Sequence, residues 1–386
     1  MVFRLAGGTA SDHPSVCAYI RLDHGLFSSQ AFTIEKRTSM KLAIQIVLYH
    51  RSKHFMKLLA SLEKSDLQYF ELFCYENSVN QEEFRKSKSI LEASGLIHHI
   101  LTGNRNIGFG NAHNALWRLH EAPFVLLLND DAWLTPLFLE KALQRMEADQ
   151  KTAAVSGLLY RWDGSADPCA TAGTFIDTAG LEYNCLADIR DRFAGQTMKD
   201  IGDALQEPKE IFGVSGAIAL LRRSAVERVS PEQLPFDPSF FMYKEDVDLA
   251  IRLRRGGFIS WYEPMAVAFH QRGLKLGTKT WFARIQEERK RPKVLRQASL
   301  LNQWKLDIYH ASVKLGWRDI FKSMVHEAKR KVLTFLSSPT VFFFAAEAFI
   351  ISLPATIRRR RLLKQLLPDV RLSGASTRGE EGSRAS

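Results

Sequence analysis

The sequence predicts an α/β protein in which helices cover both faces of a mostly parallel sheet, with a basic helical extension at the C-terminal end. Short apolar runs alternate with segments of helical periodicity from Lys41 to His270, as in chains built of βα units. Polar or acidic residues directly follow several of these runs, at the positions where open α/β sheets bind ligands. Beyond Gly277 the composition changes to basic helical segments that carry Trp and Tyr.

Each element follows from its own pattern. The predicted strands are, in order, LAIQIVL, YFELFCYENS, LIHHILT, PFVLLLNDDAWL, AAVSGLLY, the start of GVSGAIALLRRSAVERV, and FISWYEPMAVAFH, with a hairpin in TFIDTAGLEYN. The predicted helices cover 54–67, 81–94, a segment opened by NRNIGFGNAHN that runs to 119, 138–148, a short stretch after GVSGAIALL, and 247–255. The last of these stops at Gly256-Gly257, which is typical of a helix C-terminus.

Composition indicates the class of protein. The 386 residues are 46% hydrophobic and 25% charged, ordinary values for a soluble globular chain with ample length for a core. The four cysteines form no CxxC pair, as is typical of reduced thiols in a cytosolic protein. Residues 1–39 show no secretory signal, because charged and polar residues interrupt their apolar positions. We therefore expect a cytoplasmic protein.

The net charge of +11 belongs to the C-terminal part of the chain. Residues 281–386 contain 21 Lys and Arg against 9 Asp and Glu, so the first 280 residues are close to neutral. A basic tail on a neutral body favours an anionic partner, either nucleic acid or a membrane face, although a merely solubilising surface gives the same pattern.

One apolar run lies within this basic region. SPTVFFFAAEAFIISLPAT is interrupted by Glu347 and Pro354 and is followed by Arg358–Arg361, which favours a helix lying on an anionic membrane surface. A membrane span and a core-packing helix are the alternatives. We expect an N-terminal segment 1–39 that is disordered or untranslated, with Met40 as the alternative start, then the α/β domain 40–276, a basic helical extension 277–336, a membrane-surface segment 337–373 and a disordered tail 374–386.

Two strand ends carry groups suited to a cation. Asn129-Asp130-Asp131 follows an apolar run, and carboxylates on the ligand-binding edge can hold a divalent cation against a phosphate. The same acids also suit a turn or a helix N-cap. His270 ends another predicted strand, where it is either a further metal ligand or a surface residue.

The densest group of acids is in FFMYKEDVDL. Glu245, Asp246 and Asp248 fall within four positions beside aromatic side chains, where repulsion and poor solvation make ionisation costly. Asp248 lies four residues before Arg252, so these two can pair along a helix, which favours a structural role for Asp248. Glu245 and Asp246 remain as candidates for chemistry.

Taken together and in order, these pieces resemble a known family. From about Leu42 to Gly273 the sequence resembles the inverting glycosyltransferase family 2 of GT-A fold and is most similar to its rhamnosyltransferase-like branch. The matching pieces are ENS, NRNIGFGNAHN, LLLNDDAWLTP, FIDTAG, GVSGA, FDPSFFMYKEDVDLAIRLRRGGF and the Phe-His pair at 269–270. Two positions depart from the family pattern: Glu76 replaces the usual Asp, and Tyr49-His50-Arg51 replaces Thr-Tyr-Asn.

The resemblance implies a role for each candidate residue. Asp246 would deprotonate the acceptor hydroxyl and Glu245 would orient the acceptor or the metal site, while Asp131 and His270 would bind Mg²⁺ or Mn²⁺. The residues implied to contact the nucleoside-diphosphate sugar are Tyr49, Glu76, Asn77, Asn106, Gly108, Asn111, Asn129 and Asp130. Those implied to contact the acceptor are Trp133, Gly216 and Ala217.

The resemblance therefore predicts transfer of a sugar, rhamnose or another hexose, from a nucleoside-diphosphate sugar to a glycan or polyprenyl-linked acceptor. Such a reaction belongs to bacterial-type cell-surface polysaccharide synthesis, at the inner face of the cell membrane. A non-catalytic sugar-nucleotide binder on the same fold is the alternative, and neither the metal nor the base position has lost its acid. A third possibility is nucleic-acid binding by the tail, but no aromatic-basic recognition motif is present, so we expect no nucleic-acid partner. The oligomeric state stays open.

Overall fold

Apolar segments of the chain assemble into one sheet covered by helices on both faces. The computed structural model describes residues 18–21, 40–50, 52–67, 69–164, 168, 175–185, 188–271, 286, 289–311 and 317–370. The strands are β1 (Ala18–Arg21), β2 (Leu42–Leu48), β3 (Phe70–Glu76), β4 (His98–Thr102), β5 (Phe124–Asn129), β6 (Ala132–Leu134), β7 (Thr152–Arg161), β8 (Ile176–Thr178), β9 (Leu181–Cys185), β10 (Asp188–Asp191), β11 (Lys209–Ile211), β12 (Ile218–Arg222) and β13 (Ile259–His270).

The helices lie between these strands and after the last of them. They are α1 (Ser52–Glu63), α2 (Gln81–Ala93), α3 (Phe109–Trp117), α4 (Phe138–Glu147), α5 (Met198–Ile201), α6 (Arg223–Arg228), α7 (Glu245–Arg255), α8 (Lys293–Tyr309), α9 (Trp317–Ser337) and α10 (Pro339–Leu366), with a 3₁₀ turn at Gly202–Leu205.

The main sheet is mixed but mostly parallel, as predicted. Its strand order is β1-β4-β3-β2-β5-β12-β7-β13-β11, and β12 and β11 run antiparallel to their neighbours. Strand β2 shows why the sheet is covered twice. Its Ile44 packs with the layer of α1 and α4, whereas the adjacent Ala43 packs with α3 on the other face, and both side chains are fully buried. A continuous apolar run is the pattern of a strand buried on both faces.

Two sequence-based expectations about local structure were wrong. TFIDTAGLEYN does not form a hairpin with itself, because β8 pairs with β7 while β9 pairs with β10. PFVLLLNDDAWL is not one strand, because the chain turns at Asp130-Asp131 and β6 pairs with β13 instead. Both departures place an acidic segment at the carboxyl edge of the sheet. Alternation of apolar residues cannot reveal which neighbour a short strand pairs with.

The C-terminal helices pack against the α/β domain through buried charges. Asp248 on α7 contacts Arg252 at 2.7 Å and His310, just after α8, at 3.0 Å, and all three side chains are fully buried. Burial alone would raise the pKa of Asp248, but Arg252 and His310 outweigh it, so its pKa lies below the ordinary value. Arg359 on α10 contacts Asp237 at 2.9 Å. The predicted structural pairing of Asp248 with Arg252 is therefore present, and α8 and α10 extend the same core.

The structure describes little of the two terminal segments predicted from the sequence. Within the segment 1–39, residues 18–21 form strand β1, which pairs in parallel with β4 at the edge of the sheet. The remaining positions of 1–39 and the predicted tail 374–386 lie outside the described residues.

Candidate active site

The carboxyl ends of three neighbouring parallel strands form the edge on which the candidate residues lie. Strand β2 pairs with β3 so that Leu48 lies opposite Glu76, and with β5 so that Val47 lies opposite Asn129. The amide of Tyr49 donates to Oδ2 of Asp130 at 3.2 Å, which connects the turn after β2 to the turn after β5. The structure thus brings the predicted Glu76 and Asn129–Asp131 segments to one rim.

An imidazole and two carboxylates form one corner of this rim. Nε2 of His270 lies 3.0 Å from Oδ1 of Asp131 and 3.1 Å from Nδ2 of Asn129, and its Nδ1 lies 2.8 Å from Oδ2 of Asp177. Burial by itself lowers the pKa of His270. The hydrogen bonds with Asp131 and Asp177 outweigh this effect and raise the pKa to about 9. His270 is therefore oriented from both ring nitrogens.

This corner has the donor set of a divalent-cation site. A carboxylate oxygen and an imidazole nitrogen converge there, and the second carboxylate holds the opposite ring nitrogen, as is common for metal-binding histidines. Within the described ranges, no three His, Cys, Asp or Glu side chains group closely enough to hold a metal alone. The residues present therefore fit Mg²⁺ or Mn²⁺ that also takes oxygens from a bound diphosphate and from water.

A dipeptide joins this corner to the acidic segment at the start of α7. The amide of Asn129 donates to the carbonyl of Ala217 at 2.9 Å, and the amide of Gly216 donates to Oδ2 of Asp246 at 3.1 Å. A Cβ at Gly216 would lie 3.6 Å from the Cβ of Asp246. The two residues predicted to contact the acceptor therefore connect the predicted base, Asp246, to Asn129, which contacts the predicted metal residue His270.

Glu245 is buried and Asp246 is half-buried, and the two acids differ in environment. Both oxygens of Asp246 accept backbone amides, Oδ2 from Gly216 and Oδ1 from Val247 at 2.8 Å. Burial raises the pKa of Asp246, and these amides partly offset the effect. Burial and the charge of Asp246 raise the pKa of Glu245 to about 8. Oε2 of Glu245 is buried and has no hydrogen-bond partner within the part of the chain that the structure describes. Within the pair, the proton is therefore favoured on Glu245 over Asp246.

The helix carrying these acids begins from a strained turn. Tyr243 and Lys244 adopt φ angles of 71° and 72°, the left-handed region that side chains other than glycine disfavour. Each such residue costs on the order of 1–3 kcal/mol and is often found at functional sites. Helix α7 starts at Glu245, two residues before the predicted start, so both acids lie in its first turn, where the helix dipole favours negative charge.

The NRNIGFGNAHN segment packs directly against this turn. The amide of Phe109 donates to the carbonyl of Phe241 at 2.9 Å, and a Cβ at Gly108 would lie 2.1 Å from that oxygen. Gly108 has φ of 83°, so both its backbone conformation and its surroundings require glycine. The glycine expected to approach a ligand is thus also the point where the loop contacts the turn before α7.

The asparagines of this loop fix its backbone. Asn77 donates to Oδ1 of Asn106 at 2.9 Å and accepts the amide of Ile107 at 2.9 Å. Asn111 donates to the carbonyls of Ile107 and Pro238, at 3.2 Å and 3.1 Å. Contact of these side chains with a nucleotide stays a prediction. Their hydrogen bonds also stabilise the conformation of the loop.

The remaining predicted residues lie on the same edge. Glu76 is buried, and its carboxylate accepts the hydroxyl of Ser87 at 2.7 Å and the amide of Ser78 at 3.0 Å. Trp133 on β6 packs edge-to-face on Phe269, with ring centroids 5.6 Å apart. The ring of Tyr49 is 49% exposed, which leaves an aromatic surface beside Asp130. Nucleotide contacts by Glu76 and Tyr49 and an acceptor contact by Trp133 stay predictions.

Sequence reasoning missed one residue of the site, Asp177. It is fully buried on β8 and holds Nδ1 of His270. The signal was available, because Asp177 is the acid of FIDTAG, one of the segments that carry the resemblance. Its role was hidden because the partner is 93 residues away in sequence.

Comparisons with known proteins concern the family and the fold. A family model described as "Glycosyl transferase family group 2" matches residues 124–357, which extends through α8 and α9 into α10. Two curated relatives, both N-acetylglucosaminyl-diphospho-decaprenol L-rhamnosyltransferases from Mycobacterium tuberculosis strains CDC 1551 / Oshkosh and H37Rv, are 27% identical over 189 residues. The alignment covers 46% of this chain, and the chain spans about 60% of the length of these relatives.

A solved structure shares the fold. The crystal structure of GalNAc-T7 with UDP, GalNAc and Mn²⁺ superposes with a TM-score of 0.52 at 12% sequence identity, covering 69% of this chain and 47% of that one. At this identity the likeness concerns the fold, and the fold is that of a glycosyltransferase whose structure contains a nucleotide and a divalent cation.

Proposed function

The chain belongs to glycosyl transferase family group 2, and from this premise we propose that it transfers a sugar with inversion from a nucleoside-diphosphate sugar to a hydroxyl of a glycan or lipid-linked acceptor. The enzyme is a glycosyltransferase, and the proposal concerns its mechanism, substrates and location. The L-rhamnosyltransferases it resembles support rhamnose or another hexose as the sugar and a polyprenyl-linked acceptor, in the synthesis of a cell-surface polysaccharide.

One observation carries the proposal. Gly216-Ala217 connects Asn129, which contacts His270, to the Asp246 carboxylate: the carbonyl of Ala217 accepts the amide of Asn129, and the amide of Gly216 donates to Asp246. A displacement at the anomeric carbon needs a charge-stabilised leaving group on one side and a base on the other, held at fixed separation. A short backbone bridge supplies that fixed separation.

The chain's own residues account for the proton and for the orientation of the substrates. Asp246 accepts the proton of the acceptor hydroxyl as the oxygen attacks the anomeric carbon, while the bond from that carbon to the diphosphate oxygen breaks and the nucleoside diphosphate leaves with the electron pair. Both oxygens of Asp246 already accept amides and still have lone pairs for this proton. Protonated Glu245 can donate a hydrogen bond to the acceptor. A divalent cation held by Asp131 and His270, when bound, would supply positive charge to the departing diphosphate.

Release of nucleoside diphosphate tests the proposed function. We expect purified protein with Mn²⁺ to release nucleoside diphosphate from one member of a panel of nucleotide sugars, faster when membrane extract is added as a source of acceptor. The readout is a coupled assay of the released diphosphate. The Asp246→Asn protein is the control for contaminating hydrolases. Equal release by both proteins would contradict a transferase activity of this site.

We further propose that the outer face of α10 lies on an anionic membrane surface, at the cytoplasmic side. One described helix, Pro339–Leu366, is long and apolar enough to cross a membrane, and only 17% of its most apolar stretch is buried. Phe343, Ile350 and Ile351 are 62%, 69% and 73% exposed, and Arg358 and Arg361, about two to three turns beyond Ile351, are exposed too. An apolar face followed by cations suits an interfacial helix. Burial of Arg359 against Asp237 keeps the opposite side of the helix on the protein.

Substitution on that face should weaken membrane binding. We expect Ile350→Gln combined with Ile351→Gln to lower the partition of the full chain onto phosphatidylserine-containing liposomes by about 10- to 100-fold, because two exposed side chains lose apolar burial. Flotation measures this partition. Met265→Gln is the matched control, since Met265 is 56% exposed but lies on β13, outside the C-terminal helices. Unchanged flotation of the double variant would contradict the membrane proposal while leaving the catalytic one intact.

A further inference from the structure

The left-handed turn before α7 directly precedes both acids, so its conformation sets their positions. The φ angles of Tyr243 and Lys244 are unfavourable for L-residues, and α7 begins at the next residue. Lys244 makes no side-chain cap to the helix. A relaxation of either residue toward right-handed angles would rotate the first turn of α7 and move the carboxylate of Asp246 away from the amide of Gly216.

Asn302 supplies this support from the C-terminal extension. Its side chain lies on α8, is 1% exposed, and donates from Nδ2 to the carbonyl of Met242 at 3.0 Å and to that of Tyr243 at 2.9 Å. The two amide hydrogens thus satisfy two successive carbonyls of the turn. A buried carbonyl without a donor is costly, so this turn conformation is favoured only while the amide is in place.

Further contacts hold the same segment from both sides. Lys305, one turn later on α8, donates to the carbonyl and the hydroxyl of Ser239, at 3.1 Å and 3.2 Å. On the other side the loop at Gly108 packs on Phe241. The catalytic turn is therefore clamped between the loop predicted to contact the donor and a helix outside the α/β domain. Of these contacts, those of Asn302 fall nearest in sequence to the acids.

We propose that Asn302 is a positioning residue for Glu245 and Asp246, and that the C-terminal extension is in this way part of the catalytic apparatus. The inference rests on the proposed function for the meaning of the acid pair. Asn302 touches neither acid, and it acts by fixing the two residues that set the direction in which α7 begins.

Asn302→Leu tests the inference, because leucine has a similar volume and no donor. We expect the turnover number for nucleoside-diphosphate release to fall by about 100-fold, as displacement of a catalytic group by about 1 Å commonly causes, with little change in the KM for the donor. Gln303→Leu is the matched control. Gln303 is a fully buried amide on the same helix, but it donates to Asp307 at 3.0 Å and, within the described residues, makes no hydrogen bond with the turn.

A second variant and a second measurement keep the test decisive. Asn302→Asp preserves size and shape but points oxygen at the two carbonyls, so it should lose activity at least as strongly as Asn302→Leu even if the latter folds poorly. Hydrogen exchange at the amides of residues 245–247 should be faster in both variants than in Gln303→Leu, whether or not a substrate is known. Exchange and turnover equal to those of Gln303→Leu would overturn the positioning role. Faster exchange in the two Asn302 variants, together with a wild type that releases no diphosphate, would support the positioning role and count against the proposed function alone.

Discussion

Replacing Asp246 with Asn is expected to lower sugar transfer by about 100- to 10,000-fold while donor binding stays unchanged. Asn keeps one oxygen, which can accept the amide of Gly216, although its amino group gives up the bond that Oδ1 of Asp246 accepts from the amide of Val247. It cannot accept a proton from the acceptor hydroxyl. Turnover is measured with the nucleotide sugar identified by the release screen, and donor affinity by calorimetry. Near-normal turnover would show that another group is the base.

Glu245→Gln is the comparison that separates the two acids. If Glu245 is protonated at neutral pH, Gln reproduces its charge and its ability to donate a hydrogen bond, so transfer should fall far less than in Asp246→Asn. The reverse order of effects would exchange the two roles. This comparison is possible because the acids differ in environment: Asp246 accepts two backbone amides, whereas Oε2 of Glu245 is without a partner among the described residues.

The same pair predicts the pH dependence. Burial raises the pKa of Asp246, so the acid limb of the transfer profile should lie above the ordinary range for an Asp. Above about pH 8 the wild type should lose activity as Glu245 ionises, and Glu245→Gln should keep a plateau there.

Because the folded-state pKa of Glu245 is raised, its contribution to stability is present at low pH and is lost as pH rises through about 8. The melting temperature of Glu245→Gln should therefore exceed that of wild type more at pH 9 than at pH 5.

Much of the fold followed from local patterns. The predicted family and fold class are confirmed. The fold class could be predicted because apolar runs such as β2 and β5 have the length of buried parallel strands and end in polar turns. The sequence also predicted that Glu76 and Asn129–Asp131 would share an edge, which needs only the parallel arrangement. These conclusions depend on residues near one another in the chain.

The parts that sequence reasoning could not supply depend on distant partners. Asp177 meets His270 from 93 residues away, and Asn302 reaches Tyr243 from 59 residues away. The segment 337–373 was expected to lie on a membrane surface, but the region beyond Gly277 also makes buried contacts with α7, such as that of His310 with Asp248. Periodicity shows that a helix has a buried face and cannot say which groups that face meets.

Asp131→Ala is expected to abolish both transfer and binding of Mn²⁺, since it removes the carboxylate of the proposed cation site. Paramagnetic resonance of free Mn²⁺, with and without the nucleoside diphosphate, measures binding independently of activity. Asp130→Asn is the matched control, because Asp130 is adjacent and similarly buried, and Asn can still accept the amide of Tyr49. Undiminished Mn²⁺ binding by Asp131→Ala, or full activity of the wild type in EDTA, would exclude the metal role.

Asp177→Asn should have a graded effect, with Mn²⁺ affinity lowered by about 10- to 100-fold, because Asp177 orients His270 without being placed to bind the cation itself.

The pH dependence of Mn²⁺ affinity has a definite sign. Two carboxylates raise the pKa of His270 to about 9 against the effect of burial, so a proton competes with the cation for Nε2 across the neutral range. Mn²⁺ affinity should therefore increase as pH rises from 6 to 9, by up to about tenfold per unit, with one proton released per cation bound. In Asp177→Asn, which lacks one of those carboxylates, the rise should level off at lower pH. A pH-independent affinity would mean that His270 is not a ligand, and the cation would then be held by Asp131 and the diphosphate alone.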